Sequence, residues 1–212
     1  LSLHDALPIW VVAVLDDAAA SFPPGVAYKM TYDTSEFVVA SIDEVIHTLI
    51  EAFVLVAVVV FVFLGSLRAT LVPIVAVPVA LVGAFAAMLA LGFSINTVSL
   101  LALVLAIGIV VDDAIVVVEN VERVMSENPG MSAADAARKA MGEITGAIVA
   151  ITLVLLSVFV PVAFIPGISG QLFQQFAVAV SVAMVISAVN ALTLSPALCA
   201  LVLKAHHGPP RG

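Results

Sequence analysis

Charged residues are scarce in this sequence: Lys, Arg, Asp and Glu together make up 10% of its 212 residues, against about 25% in an ordinary soluble domain. Apolar residues make up 63%. The formal net charge is −8, but the acidic residues form no run, so we assign this charge no meaning for a partner and predict no nucleic-acid partner. The composition excludes an ordinary soluble domain and indicates a protein embedded in the lipid bilayer.

Cysteine and histidine are also scarce. The single Cys199 excludes an internal disulfide and a cysteine cluster for a metal. The four histidines are found at chain ends or near the ends of apolar segments: His4, His47, His206 and His207. The sequence therefore predicts no metal site and no cofactor.

Both ends of the chain differ from those of a typical natural protein. Residues 1–10 lack the basic start and apolar core of a signal peptide, and we expect them to be an artefact or unstructured. Residues 205–212 form a polar tail that we place in the cytoplasm. We therefore expect the chain to be an internal fragment of a longer protein.

Residues 11–42 contain the least membrane-like stretch of the chain. A turn signal at 23–25 precedes Val26, Tyr28, Met30 and Tyr32, which alternate with more polar positions. This alternation predicts one short β-strand. A lone strand is not stable, so its partners are expected in chain that lies upstream.

Residues 43–204 contain five apolar segments, each close to the length of about 20 residues that a membrane-spanning helix needs. Their approximate limits are 45–64, 70–91, 95–118, 144–164 and 176–202. We therefore predict an all-α polytopic membrane protein whose five helices follow a short β remnant. Pro196 is expected to kink the last part of the fifth helix.

The basic residues predict the orientation of the five helices. The joints at 65–69 and 119–143 and the segment at 203–212 carry Arg68, Arg123, Arg138, Lys139, Lys204 and Arg211, whereas the joints at 92–94 and 165–175 carry no Lys or Arg. Because cytoplasmic joints are enriched in Lys and Arg, the three basic segments are predicted to be cytoplasmic. Residues 1–42 are then predicted to lie outside.

Two adjacent aspartates, Asp112 and Asp113, lie inside the third apolar segment. A carboxylate at the centre of a membrane helix costs about 2.5–3.5 kcal/mol on insertion scales, and such residues commonly mark ion or proton pathways. Successive helical residues point 100° apart, so the two side chains share one broad face. Gly108, one turn earlier, is predicted to let a neighbouring helix approach closely. The pair is the candidate proton relay.

Other roles for the pair are less well supported. A structural ion pair needs a cation, and no Lys or Arg lies in the core of the five segments. An aspartyl protease needs two carboxyl groups that face each other across a substrate, which neighbours on one helix cannot do, so we predict no catalytic residues. Glu119 lies on nearly the same face but close to the cytoplasmic joint, and we interpret it as an interfacial residue.

Several segments resemble the resistance-nodulation-division (RND) exporters, specifically their hydrophobe/amphiphile multidrug efflux branch. GIVVDDAIVVVENVERVM at 108–125 is similar to the fourth transmembrane helix of that family. YDTSEFV at 32–38, SLRATLVPIVAVPVALVGAF at 66–85, GFSINTVSL at 92–100, FVPVAFIPGISGQ at 159–171 and LSPALCALVLK at 194–204 follow in the family's order. The resemblance covers about residues 20 to 204.

The resemblance implies a proton-driven antiporter of the Gram-negative inner membrane that exports hydrophobic and amphiphilic compounds. Such pumps are homotrimers that join a periplasmic adaptor and an outer-membrane channel. The positions of Asp112 and Asp113 match the aspartates that carry the coupling protons in the family. The chain would then correspond to helices two to six, with residues 11–42 as the end of the periplasmic porter domain and the counter-charge on chain that is not present.

Two alternatives stay open. Five-helix segments of related eukaryotic proteins act as sterol- or lipid-sensing modules, although the aspartate pair and the bacterial-style flanks argue against this function. A bare structural scaffold predicts that both aspartates can be replaced without loss of export.

Overall fold

The computed structural model describes residues 3–29, 34–93 and 96–203. Its helices in these ranges are α1 (Leu3–Ala19), α2 (Thr34–Leu64), α3 (Leu67–Ala90), α4 (Thr97–Glu127), α5 (Ala133–Val162), α6 (Ile168–Leu192) and α7 (Leu194–Val202). Five stretches are long and apolar enough to cross a membrane: Ala40–Leu64, Leu67–Ala90, Thr97–Glu127, Ala133–Val162 and Ser169–Val202. The chain is a helical, multi-pass membrane protein, as predicted.

The first part of the chain differs from the prediction. Residues 3–10 belong to the helix α1, where the prediction offered an artefact or an unstructured segment; the Ala and Leu residues of α1 favour a helix. The predicted strand is absent over residues 26–29, and the described ranges contain no second strand that could pair with it; residues 30–32 lie outside these ranges. The phenol of Tyr28 donates a hydrogen bond to Asp16, which raises the pKa of Tyr28.

Short joints with specific caps separate the long helices. Gly65, with φ +60°, makes the turn between α2 and α3, and Ser66 caps α3 by accepting a hydrogen bond from the Ala69 N–H. Asn96 and Ser99 form a reciprocal capping box at the start of α4. Ser132 caps α5, which then continues without interruption into the membrane-spanning part of the helix. These caps satisfy backbone N–H groups that a helix start leaves free.

The helices alternate in direction. One cluster of buried residues joins the end of α2, the start of α3, the end of α4, the start of α5 and the end of α7, through Leu64, Ala69, Val124, Ala133 and Leu203. A second cluster joins the opposite helix ends, through Met88, Ala102, Phe159 and Phe176. The joints at 65–66 and 128–132 therefore lie at the same end of the bundle, where Arg68, Arg123, Arg138 and Lys139 are also found. The assignment of this end to the cytoplasm stays a prediction.

The last membrane-spanning stretch is broken into two helices at Thr193. Helix α6 ends at Leu192 and α7 begins at Leu194. Pro196 explains the break, because it has no N–H to bond the carbonyl of Leu192 and its ring crowds that carbonyl. The Thr193 hydroxyl donates a hydrogen bond of 2.5 Å to the Val189 carbonyl and thereby satisfies a backbone group close to the break.

Helix α4 is the central helix. It contacts α2, α3, α5, α6 and α7, and thirteen of its residues are buried, so it is covered on most of its circumference. One narrow stripe stays uncovered over residues 101–119, formed by Leu101, Leu105, Gly108, Asp112, Val116 and Glu119. We call these six residues the open stripe of α4.

Candidate functional site

The two aspartates of α4 point towards different surroundings. Asp112 is exposed and belongs to the open stripe, whereas Asp113 is half-buried and turned towards α6. The 100° rotation between successive helical residues is enough to place one carboxyl group on the uncovered side of α4 and the other in a helix interface. The pair therefore does not form one uniform site.

Ser187 of α6 is the hydrogen-bond partner of Asp113. Its Oγ donates to Asp113 Oδ2 at 2.6 Å, a distance typical of a charge-assisted O–H···O bond. Ser187 is only 2% exposed, so this hydroxyl is held inside the bundle. Among the described residues, neither aspartate takes part in an ion pair. The chain thus supplies Asp113 with a neutral donor.

The ion pairs of the described residues lie instead at the basic end of the bundle. Arg123 bonds Glu127 on its own helix at 2.8 Å and also Glu143 on α5, while Asn120 donates to the Ala140 carbonyl at 3.1 Å. The bonds to Glu143 and Ala140 join α4 to α5. Because the Arg123 and Glu127 side chains are about half exposed, such pairs contribute little to stability, and we assign them no role in proton transfer.

Gly108 does not have the surroundings that were expected. A Cβ built there would meet no atom within 4 Å, so no helix of the described chain approaches it. Close approach does occur at Gly83 of α3, where a Cβ would lie 3.0 Å from Ile186 Cδ1. The close approach of a neighbouring helix at Gly108 stays a prediction, and that helix would lie outside this chain.

Sequence reasoning missed Ser187, which bonds Asp113, and two residues of the interface between α3 and α6, Asn190 and Gly83. Asn190 is 8% exposed, and its Nδ2 donates to the Ala76 carbonyl of α3 at 3.5 Å. An amide inside an apolar segment is itself a signal, since polar side chains in membrane helices bond neighbouring helices. Nothing in the sequence indicates which helix each residue faces. No group of three or more His, Cys, Asp or Glu side chains in the described ranges could hold a metal.

The fold and the site define the class of this protein. It is a polytopic membrane protein that carries an adjacent pair of carboxyl groups inside one membrane-spanning helix. The sequence matches the AcrB/AcrD/AcrF family over residues 9–212. The chain belongs to this family of membrane transporters, which are not enzymes, and the RND resemblance is confirmed.

Individual relatives agree with this assignment. The chain is 53% identical to the toluene efflux pump membrane transporter TtgE of Pseudomonas putida over 195 residues, which are 92% of this chain and 18% of the relative. It is 49% identical over 194 residues to the multidrug export protein AcrF of Escherichia coli (strain K12), with 92% and 19% covered. It is 47% identical over 191 residues to the multidrug resistance protein MdtF of the same strain, with 90% and 18% covered. The chain thus spans less than a fifth of the length of these relatives.

Proposed function

We propose that the whole protein is a proton-driven antiporter of the Gram-negative inner membrane, in which Asp112 and Asp113 form the proton relay. The observation that carries this proposal is the adjacent carboxyl pair within a membrane-spanning helix, with Asp113 bonded to a buried hydroxyl. Ionisable groups at such depth are costly and are associated with proton and ion pathways. The chain belongs to a family of exporters, so the process that the relay would drive is export.

The Ser187 hydroxyl suits an aspartate that gains and loses a proton. A hydroxyl group donates one hydrogen bond and can also accept one. It can therefore donate to the charged carboxylate and accept from the protonated carboxyl group. Asp113 keeps a hydrogen-bond partner in both states, whereas a lysine or an arginine would favour the charged state alone.

Proton movement supplies the energy for export. Each proton that crosses a membrane potential of 100 mV releases about 2.3 kcal/mol before any pH gradient is counted. A bare carboxylate in a membrane helix costs a similar amount. Protonation of the pair therefore changes the free energy of burying it by enough to favour a different helix arrangement, which is what coupling requires.

Substrates and assembly belong to the whole protein and are part of the proposal. We propose that it exports hydrophobic and amphiphilic compounds, since relatives are named for toluene efflux and multidrug export. We propose further that it works as a homotrimer with a periplasmic adaptor and an outer-membrane channel. Residues 11–42 would then be the end of its periplasmic porter domain.

Efflux by the full-length protein tests the relay. Asp112→Asn and Asp113→Asn preserve side-chain volume but remove the titrating group, so export is expected to fall to background while protein level and trimer formation are retained. Glu119→Gln is the matched control, because Glu119 is a carboxylate on the same open stripe and is predicted to be interfacial; it should export normally. Export at the wild-type rate by the Asp112→Asn, Asp113→Asn double variant would end the relay proposal and favour a structural scaffold.

A further inference from the structure

We propose that Gly83 and Asn190 are positioning residues for the relay: they hold α6 against α3 at the height and rotation at which Ser187 reaches Asp113. The inference rests on the proposed function, because it concerns how the relay carboxyl is held. The hydrogen bond to Asp113 comes from Ser187, and that of Asn190 goes to Ala76. Both act through α6, which packs against α3 and against α4.

The first contact of this arrangement is between Gly83 and Ile186. A Cβ at residue 83 would lie 3.0 Å from Ile186 Cδ1 and 3.1 Å from Ile186 Cγ2, closer than ordinary van der Waals contact. At Gly142 and Gly146 of α5, by contrast, a Cβ would meet nothing within 4 Å. A Cβ at this position would force the Ile186 side chain to shift by a few tenths of an ångström, so glycine favours the present separation of α3 and α6, as small residues do at membrane helix interfaces.

The second contact is the hydrogen bond from Asn190 to α3. Its Nδ2 donates to the Ala76 carbonyl, and both residues are buried. At 3.5 Å the bond is long and weak, but an amide without any partner in an apolar interior is unfavourable, so Asn190 favours the present placement of α6 against α3. The Gly83–Ile186 and Ala76–Asn190 contacts together form what we call the α3–α6 contact.

Ser187 lies in the chain between the two α6 members of this contact. Ile186 and Asn190 are four residues apart and share the face of α6 that meets α3, while Ser187 is turned about 100° from Ile186 and faces α4. A hydrogen bond weakens steeply as its geometry departs from the optimum. Pushing Ile186 away from α3 by a few tenths of an ångström moves Ser187 on the same backbone, and the α3–α6 contact therefore sets the Ser187–Asp113 distance.

The main test is Gly83→Ala in the full-length protein, with efflux and protein level measured together. We expect a loss of export of roughly tenfold, less than the ~100-fold that a 1 Å misplacement can cost at a reacting centre. Gly146→Ala is the matched control, because it makes the same change within a membrane helix and has open space; its export should be normal. Ile186→Ala removes the atoms that meet the new Cβ, so Gly83→Ala combined with Ile186→Ala should regain most of the lost export.

A double-variant cycle separates positioning from general damage. If Gly83 acts through Ser187, adding Gly83→Ala to Ser187→Ala produces little further loss, since coupled residues are not additive. Fully additive losses, or no recovery with Ile186→Ala, would show that Gly83 matters only for packing and would overturn the inference. Asn190→Leu gives an independent test when Gly83→Ala lowers the protein level: normal export by this variant contradicts a positioning role for Asn190.

Asp113→Asn is measured alongside these variants to separate the two proposals. Normal export by Asp113→Asn refutes the proposed function, and the positioning inference falls with it. Loss of export by Asp113→Asn together with normal export by Gly83→Ala and Asn190→Leu leaves the relay in place and overturns only the role of the α3–α6 contact.

Discussion

Ser187 and Asp113, 74 residues apart in the sequence, are joined by a hydrogen bond of 2.6 Å across the interface between α6 and α4. The bond connects two membrane-spanning helices through a group that is predicted to change its charge. A change in the protonation of Asp113 therefore acts directly on the packing of α6 against α4.

Replacing Ser187 with alanine should reduce export without abolishing it. A buried acceptor that loses its partner costs about 1–3 kcal/mol, which corresponds to roughly fivefold to 160-fold in rate. The measurement is efflux of a fluorescent amphiphile by the full-length protein, normalised to protein level. Ser181→Ala is the control, because the Ser181 Oγ on the same helix is buried without a hydrogen-bond partner among the described residues; equal losses in both variants would contradict the role of the bond.

Thiol labelling tests the predicted orientation. In a Cys199→Ser background, a cysteine at Phe164, which is 79% exposed at one end of the bundle, should react with a membrane-impermeant reagent added to intact cells. A cysteine at Pro129, at the basic end, should react only after the membrane is permeabilised. Labelling of position 129 alone in intact cells would reverse the orientation and reject the prediction from basic residues.

Expression of residues 1–212 alone should give a membrane-inserted protein without export. The chain spans less than a fifth of the length of its relatives, and its Asp112 faces an uncovered side of α4. Drug resistance is measured in a strain deleted for its own pumps, with the full-length protein as the positive control. Restored resistance from residues 1–212 would refute the prediction.

Removing the cap of α4 should lower stability. Asn96→Ala removes both the acceptor for the Ser99 N–H and the bond to Gln175 of α6, and loss of an N-cap costs about 1 kcal/mol. We expect a lower temperature of unfolding in detergent. Thr97→Ala, one residue further on at an exposed position, is the control and should change this temperature much less.

The sequence was sufficient to predict the five membrane-spanning helices, because length and apolar composition determine which segments can cross a bilayer. The kink at Pro196 was also predictable, since it follows from the missing N–H, although the break falls at Thr193. The predicted strand is not found over residues 26–29, because alternation over a few residues gives a strand only when another strand can pair with it.

Only part of the candidate site could be predicted from the sequence. Asp112 and Asp113 are conspicuous because charge is rare in an apolar helix, but Ser187 is an ordinary small polar residue. Gly108 lies one turn from Asp112 in the sequence, whereas close contact with a side chain of another membrane-spanning helix occurs at Gly83 of α3. Spacing along one helix defines a face, and only the packing of the whole bundle decides what covers that face.

The open stripe of α4 has a genetic consequence. Asp113 is bonded to a residue of this chain, whereas Asp112 lies on the side that these helices leave bare. Second-site revertants of a weak Asp113 allele should therefore map to α6 or to the segments packed on it. Revertants of an Asp112 allele should map outside residues 1–212. Suppressor mutations of these two adjacent aspartates would thus map to different parts of the same gene.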